Sequence, residues 1–304
     1  MTPSGKDYLH LHFVVLIWGF TAILGKLISI PPVEMVFYRT VLAALGIGLY
    51  ALYKNKNLKY NTSVILKLLF IGFLVAAHWI LFFLSARISS VSVSLVGIAT
   101  TAFWTSLLEP LMTKRKIKWI EVVLGLVVIL GLYIIFYYEF NVATGLMIAI
   151  VSAIIASIFT IINSKFAKTT NPYAVAFYEM SGASLGIALF FPLYISFFSS
   201  HKSLQLSLDY MDIVYLLVLA FLCTDYAYTA SIHLMKKISA YTVNLTINLE
   251  PIYGMLLAVL IFKDDEVLTF QFYIGASLII LSVLLYPVLN KLFFRKPLEV
   301  DNLR

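Results

Sequence analysis

The sequence predicts an all-α integral membrane protein with ten transmembrane helices, arranged as two inverted repeats of five helices each. Three observations lead to this fold class: the composition, the length of the apolar segments, and a sequence pattern that occurs twice. The chain has 304 residues, of which 62% are hydrophobic and 12% charged, with a mean hydropathy of +0.96. A soluble domain does not tolerate this balance, because apolar segments of this length need lipid around them.

The predicted helices are apolar segments of membrane-spanning length. About 20 apolar residues cross a bilayer core of ~30 Å. Segments of this length lie near 10–29, 32–53, 64–86, 90–113, 119–138, 143–165, 172–198, 211–235, 239–262 and 268–290. Most of the connecting loops are too short to hold a separate domain.

Two stretches of the first half have counterparts in the second half. Pro32–Arg39 reads PVEMVFYR and Pro172–Glu179 reads PYAVAFYE, 140 residues further on. Ile88–Val93 reads ISSVSV and Ile238–Val243 reads ISAYTV, 150 residues further on. Duplicated sets of membrane-length segments are typical of transporters, in which the substrate site lies between the halves.

The basic residues predict the orientation. With a cytoplasmic N-terminus, 17 of the 22 basic residues fall on the inside, as the positive-inside rule requires. The other five are Lys26, Arg39, Arg87, Lys202 and Lys263. Five helices per half is an odd number, so the second repeat enters from the opposite side. We expect repeats at 1–140 and 141–290, a cytoplasmic tail at 291–304, and both termini in the cytoplasm.

Composition also argues against several other functions. The net charge of +7 follows from the basic cytoplasmic loops, so we expect no nucleic-acid partner. The lone Cys223 excludes an internal disulfide and a multi-cysteine metal site, and the five histidines are scattered along the chain. We therefore predict no metal and no cofactor. A membrane-embedded enzyme or a non-transport membrane protein remains the alternative, although the chain has no hydrolase or metalloprotease motif.

The architecture resembles the EamA-like branch of the drug/metabolite transporter superfamily. Local matches are Tyr38-Arg39, Ile88-Ser89-Ser90, Ile238-Ser239-Ala240 and Leu249-Glu250-Pro251. The resemblance covers nearly the whole chain and implies a carrier of amino acids, metabolites, drugs or nucleotide-linked sugars, in many members an exporter. The family usually has a proline at the position of Thr101, which matches Pro251, so this chain lacks the residue on which a symmetric kink in the first half would depend.

Polar residues in the ninth predicted helix form the strongest candidate site. A charge in a helix centre costs ~2.5–3.5 kcal/mol on insertion scales, so Glu250 needs a reason to be there. Thr246 and Glu250 are four residues apart and share one face, which Asn244 and Asn248 flank. Pro251 removes a backbone hydrogen bond and frees a carbonyl of the preceding turn. This polar stripe is suited to binding a substrate or a proton. The alternative is that Glu250 is a structural carboxylate bonded to neighbouring helices.

A second group of candidates lies in the third and eighth predicted helices. Asp225 is another intramembrane acid, suited to relaying a proton or pairing with a cationic substrate, and a structural hydrogen-bonded role is the alternative. His78 and Trp79 align in the repeat with Tyr228 and its neighbour. Aromatic rings with polar edges suit a cavity that holds amphipathic solutes.

Three further charged residues are predicted to act as gating or structural groups, together with Pro251. Arg39 can face a substrate carboxylate, although an arginine of this kind more often fixes helix packing. Its repeat mate Glu179 is expected at the opposite depth, so we do not expect the two to pair. Glu109 lies near the cytoplasmic end of the fourth helix, within reach of Lys114 or Arg115.

These observations and the resemblance together predict a secondary transporter. We expect a multi-pass protein of the cell (inner or plasma) membrane that exports amino acids or related small metabolites by alternating access. Protonation of Glu250 or Asp225 is the hypothesis for coupling to a proton gradient. The expected partners are a small-molecule substrate and the lipid bilayer, and the chain is expected to be a monomer or a homodimer.

Overall fold

The structure is a computed structural model that describes residues 3–89, 91–135, 143–199, 202–262 and 270–293. Every regular element within these ranges is helical. The α-helices are α1 (Gly5–Leu27), α2 (Pro32–Tyr53), α3 (Thr62–Ile88), α4 (Val91–Ala99), α5 (Thr101–Thr113), α6 (Trp119–Ile135), α7 (Ala143–Thr169), α8 (Pro172–Phe197), α9 (Tyr210–Leu217), α10 (Ala227–Leu234), α11 (Ala240–Ile247), α12 (Glu250–Phe262) and α13 (Phe270–Phe293). A π-helix, Val218–Tyr226, joins α9 to α10.

Among the described residues, eight helical stretches are long and apolar enough to cross a membrane. They are Gly5–Leu27, Pro32–Tyr53, Thr62–Ile88, Val93–Thr113, Ala143–Thr169, Pro172–Phe197, Tyr210–Leu234 and Tyr273–Phe293. α6 is apolar but shorter, and the segment 240–262 consists of two short helices. The chain is therefore a helical multi-pass membrane protein, while the number of ten crossings stays a prediction.

The beginnings of the helices follow from local sequence. Pro32 and Pro172, which are repeat mates, each occupy the first position of a helix. Proline suits this position because its φ angle is already helical and its missing N–H would have no partner there. Asn171 also caps α8, since its side chain accepts a hydrogen bond from the Tyr173 N–H at 3.0 Å. The two halves thus begin matching helices with the same proline, and α8 has in addition a side-chain cap that Pro31 does not give to α2.

The ninth predicted helix, 239–262, is divided in the structure. α11 ends at Ile247 and α12 begins at Glu250. Pro251 has no N–H with which to continue the helical ladder, and the Leu249 N–H bonds to the Thr246 carbonyl oxygen at 3.0 Å, in a tighter turn. The predicted helix 239–262 thus contains a two-residue turn, Asn248–Leu249, next to the proline that was expected to disturb it.

The fourth predicted helix, 90–113, is divided at the matching position. α4 ends at Ala99 and α5 begins at Thr101, although no proline stands there. The Thr100 hydroxyl donates to the Gly97 carbonyl oxygen at 2.7 Å, and the Thr101 hydroxyl donates to the Ile98 carbonyl oxygen. Threonines that bond back to the preceding turn bend helices. The first half therefore has a break at the matching position without the proline that the family usually has there.

The eighth predicted helix, 211–235, also departs from a regular α-helix. The π-helix Val218–Tyr226 occupies its middle. The Thr224 hydroxyl donates to the carbonyl oxygen of Leu219, five residues earlier, at 2.9 Å. π-helical turns are frequent at functional sites, and this one presents Thr224 and Asp225 to different surroundings.

The two halves of the chain interlock through α3, which packs against α7 and α8. A Cβ atom on Gly72 of α3 would lie 2.2 Å from the Glu179 carbonyl oxygen, and one on Gly182 of α8 would lie 2.1 Å from the Leu69 carbonyl oxygen. Only glycine permits backbones to approach this closely in the membrane. This contact holds one wall of the central cavity in place.

Candidate functional site

A cavity of about 100 Å³ lies among helices from both halves of the chain. Its aromatic lining consists of Trp18, Trp79, Phe82, Phe83, Phe159 and Tyr228. Its polar lining consists of Thr21, Arg39, His78, Thr101, Thr160, Asn163, Ser231, Asn244 and Glu250. Apolar walls with a few convergent polar groups are typical of small-molecule sites.

Arg39 of α2 is the cation of this cavity. The side chain is 2% exposed, and its Nε donates to the Thr224 hydroxyl at 2.8 Å. The guanidinium carbon lies 3.7 Å from the centre of the Trp79 ring, a cation–π contact. Among the described residues, the Arg39 side chain makes this one hydrogen bond. The two terminal amino groups are therefore left for a ligand.

Glu250 is the acidic residue of the cavity. It is 7% exposed and is the first residue of α12, where the helix dipole favours negative charge. Thr21 of α1 donates a long hydrogen bond of 3.4 Å to its Oε1 atom. The four ion pairs among the described residues include neither Glu250 nor Arg39. The cavity thus holds one basic and one acidic side chain that form no direct ion pair.

His78, Trp79 and Tyr228 form the aromatic side of the cavity, as their types suggested. The Trp79 and Tyr228 rings meet edge to face with their centres 6.0 Å apart. The His78 Nδ1 atom lies 2.8 Å from the Ser152 hydroxyl and 3.1 Å from the Ser152 carbonyl oxygen. This pairing orients the imidazole toward α7, so it acts as part of the wall.

The polar stripe of the ninth predicted helix is only partly in the cavity. Asn244 lines it and donates to the Thr105 hydroxyl at 2.7 Å. Thr246 and Asn248 do not line it: the Thr246 hydroxyl bonds to the Thr242 carbonyl oxygen at 2.8 Å, and the Asn248 amide is buried without a partner among the described residues. The break before Pro251 separates the two ends of the stripe.

Asp225 also lies apart from the cavity. The π-helix directs Thr224 toward Arg39, whereas the Asp225 carboxylate faces α2 at Gly46, where an added Cβ would lie 2.1 Å from Oδ2. Its Oδ1 atom is buried and has no partner among the described residues. Asp225 and Glu250 therefore do not form one site.

Glu179 and Glu109 lie outside the cavity lining, in two different networks. Glu179 accepts hydrogen bonds from Tyr228 and from Asn163, directly behind the cavity wall. Glu109 accepts a hydrogen bond from Arg115 at 2.9 Å, and Arg115 also bonds to Glu121 at 2.5 Å. Burial opposes the charge of Arg115, but Glu121 and Glu109 outweigh this effect and raise the pKa of the guanidinium.

Sequence reasoning did not single out several residues that line the cavity. Thr21 and Asn163 are polar residues within apolar helices, and this was the signal by which they could have been found. Trp18 donates through its Nε1 to the Cys223 carbonyl oxygen at 2.9 Å. From the sequence it was equally compatible with a position facing lipid. Phe83 and Met235 carry no signal, since apolar residues occur on every face of these helices.

The fold is that of a polytopic membrane protein, and residues from both halves of the chain line its cavity. The sequence model of the EamA-like transporter family matches residues 8–137 and again residues 143–286. The chain therefore belongs to the EamA-like transporter family, with the two-repeat architecture of the drug/metabolite transporters. Its membership makes it a transporter-type membrane protein.

A search of curated proteins finds no match to the chain. Among solved structures, the chain is similar to a protein known from a crystal structure, with a TM-score of 0.75 and 14% sequence identity. The match covers 94% of this chain and 99% of that chain. At this level of identity the likeness concerns the fold alone.

Proposed function

We propose that this protein is a secondary transporter that exports zwitterionic amino acids or related small metabolites. The observation that carries the proposal is the presence of Arg39 and Glu250 in one cavity with aromatic walls. One charge comes from the first half and the other from the second half. A zwitterion can therefore engage both halves simultaneously.

The chemistry of the two charges fits the two ends of an amino acid. The terminal amino groups of Arg39 suit a carboxylate, which an arginine fork binds through two parallel hydrogen bonds. The Glu250 carboxylate suits the substrate ammonium. The rings of Trp79, Phe82 and Tyr228 provide a surface for an apolar or aromatic side chain. Both charges are buried, so a ligand that neutralises them gains from their incomplete solvation.

The proposed topology follows the sequence prediction. Ten crossings in two inverted repeats, 1–140 and 141–290, place both termini in the cytoplasm and the basic loops on the inside. Such repeats support alternating access, in which one half rocks against the other around a midplane site. The proposed location is the inner or plasma membrane, and the proposed assembly is a monomer or a homodimer. The proposed tail, 291–304, lies largely outside the described residues.

The experiment that tests the proposal compares metabolites inside and outside cells that produce the wild type, Glu250→Gln or Glu34→Gln at equal membrane levels. Glu34 is a matched control, because it is fully buried but does not line the cavity. We expect one class of amino acids to leave cells with the wild type and with Glu34→Gln, but not with Glu250→Gln. Equal export by the wild type and both variants would show that Glu250 does not bind the substrate. Movement of metabolites without an amino or carboxyl group would refute the substrate class.

A further inference from the structure

Behind the cavity wall lies a closed group of three buried polar residues from three helices. Glu179 of α8 is 0% exposed. Its Oε2 atom accepts a hydrogen bond of 2.6 Å from the Tyr228 hydroxyl and one of 3.2 Å from the Asn163 amide. The same amide also donates to the Tyr228 oxygen at 3.1 Å. Tyr228 and Asn163 line the cavity, so the carboxyl group is one hydrogen bond away from it.

The polar atoms of this group are not fully satisfied. The Oε1 atom of Glu179 and the Oδ1 atom of Asn163 are both buried and have no partner among the described residues. Both oxygens are acceptors if Glu179 is ionised, so neither can bond to the other. A proton on Oε1 changes this, because the carboxyl group then becomes a donor.

No cation neutralises Glu179 in the described part of the chain. The ion pairs found there do not include it. On the helices packed against α8, the charged or titratable side chains that line the adjoining cavity are Arg39 of α2, His78 of α3 and Tyr228 of α10. Arg39 is bonded to Thr224 and stacked on Trp79, and His78 is bonded to Ser152. An ionised carboxylate without a buried counter-ion is strongly disfavoured in a medium of low dielectric constant.

The group is connected to the substrate charges through ring contacts. Tyr228 donates to Glu179 and meets the Trp79 ring edge to face, and the Arg39 guanidinium lies on that same Trp79 ring. A substrate that displaces the Arg39 guanidinium therefore also changes its contact with the Trp79 ring. Trp79 in turn contacts Tyr228, which donates the hydrogen bond to the Glu179 carboxyl group. The connection consists of three direct contacts that join four side chains, from Arg39 to Glu179.

We propose that Glu179 is the proton-carrying residue of the transport cycle, distinct from the substrate-binding charges. It holds one proton on its carboxyl group in this conformation. When Tyr228 and Asn163 move away from it, the O–H bond breaks, the proton passes to water in the cavity and the carboxylate remains. The reverse step restores the closed group. This inference rests on the proposed function, and it assigns to Glu179 the proton coupling that the sequence analysis expected of Glu250 or Asp225.

Infrared spectroscopy of the full-length protein in lipid tests the proton directly. The spectra of the wild type, Glu179→Gln and Glu109→Gln are compared at neutral pH. We expect the wild type minus Glu179→Gln difference to contain the carbonyl stretch of a protonated carboxyl group. Glu109 is the matched control because it is ion-paired with Arg115, and its difference should show carboxylate bands. Carboxylate bands in the Glu179→Gln difference would overturn the proposal.

A second variant, Tyr228→Phe, keeps the proposal testable if Glu179→Gln does not fold. Tyr228→Phe keeps the ring that contacts Trp79 but removes the hydroxyl that donates to Glu179. We expect it to shift the protonated-carboxyl band in frequency, because one hydrogen bond to that group is lost. An unshifted band in folded Tyr228→Phe would show that the proton resides elsewhere.

The carrier role is tested in liposomes that contain a pH-sensitive dye, with the twenty standard amino acids as probes. We expect the wild type to move protons when an amino acid gradient is applied. Glu179→Gln should still exchange amino acids but should lose the linked proton movement. Equal proton movement in both proteins overturns the carrier role. If the wild type moves none of the probes, the proposed function fails, and the infrared result decides on the proton site independently.

Discussion

Replacing Arg39 with lysine is the sharpest test of how the cavity recognises its ligand. Lysine keeps the positive charge but lacks the planar fork that binds a carboxylate through two parallel hydrogen bonds. It also lacks the Nε atom that is anchored on Thr224 at 2.8 Å, and it loses the stacking of the guanidinium 3.7 Å from the Trp79 ring centre. The variant therefore changes the geometry of recognition with no change in net charge.

The expected magnitude follows from these contacts. A hydrogen bond to a charged group is worth about 1.5–3 kcal/mol, and losing one such bond to the substrate carboxylate weakens binding roughly 10- to 100-fold. The loss applies only to ligands that carry a carboxylate. The preference for an amino acid over its decarboxylated amine should therefore fall by the same factor, whereas the affinity for the amine should change little.

The assay is competition for uptake into liposomes by the transported amino acid and by the amine derived from it. Arg87→Lys is the matched control, because Arg87 bonds to the Ile28 and Ile30 carbonyl oxygens at 2.6 and 2.7 Å and does not line the cavity. We expect the control to keep the wild-type preference. If Arg39→Lys also keeps that preference, Arg39 does not bind the carboxylate and the proposed substrate orientation is refuted.

Three further predictions concern stability and topology. Arg115→Gln leaves the buried Glu121 carboxylate without its closest counter-ion, so we expect thermal unfolding in detergent to show a loss of about 2–3 kcal/mol; an unchanged melting temperature would mean that the ion pair contributes nothing. Gly72→Ala places a Cβ 2.2 Å from the Glu179 carbonyl oxygen and should destabilise the protein by about 1–3 kcal/mol. Gly5→Ala, with open space around it, should not; equal melting temperatures for the two variants would contradict the close packing of α3 on α8. In a cysteine-free background, Lys116→Cys should react with a membrane-impermeant reagent only from the cytoplasmic side and Lys202→Cys only from the outside; the opposite pattern would reverse the proposed orientation.

Much of the fold was accessible from sequence, because apolarity and helix initiation are local properties. The predicted second helix, 32–53, has the same bounds as α2, since Pro32 begins it and the apolar run ends at Lys54. The same reasoning located the repeat mate at Pro172. The family resemblance, drawn from the repeated pattern, is confirmed by the two matches of the family model.

The residues that line the cavity could be predicted from the sequence only in part. Arg39 and Glu250 were recognised because a charge in an apolar helix has a high energetic cost and therefore needs a reason. That argument could not distinguish Glu250, which lines the cavity, from Asp225, which faces α2 at Gly46. Both are isolated carboxylates in apolar helices, and the direction in which each points depends on where the helix is interrupted.

The sequence by itself determined that this chain is a helical membrane protein of two related halves, because apolar segments and a repeated sequence pattern can be recognised from the order of the residues alone. Only the tertiary structure decided where the helices break, since Thr105 bonds to a preceding carbonyl oxygen just as Thr100 does, yet no break occurs at Thr105. These interruptions rotate the polar residues relative to one another. The packing of the helices brings Arg39 and Glu250 to one cavity and places Glu179 behind its wall. These contacts join residues far apart in sequence, and no local pattern encodes them.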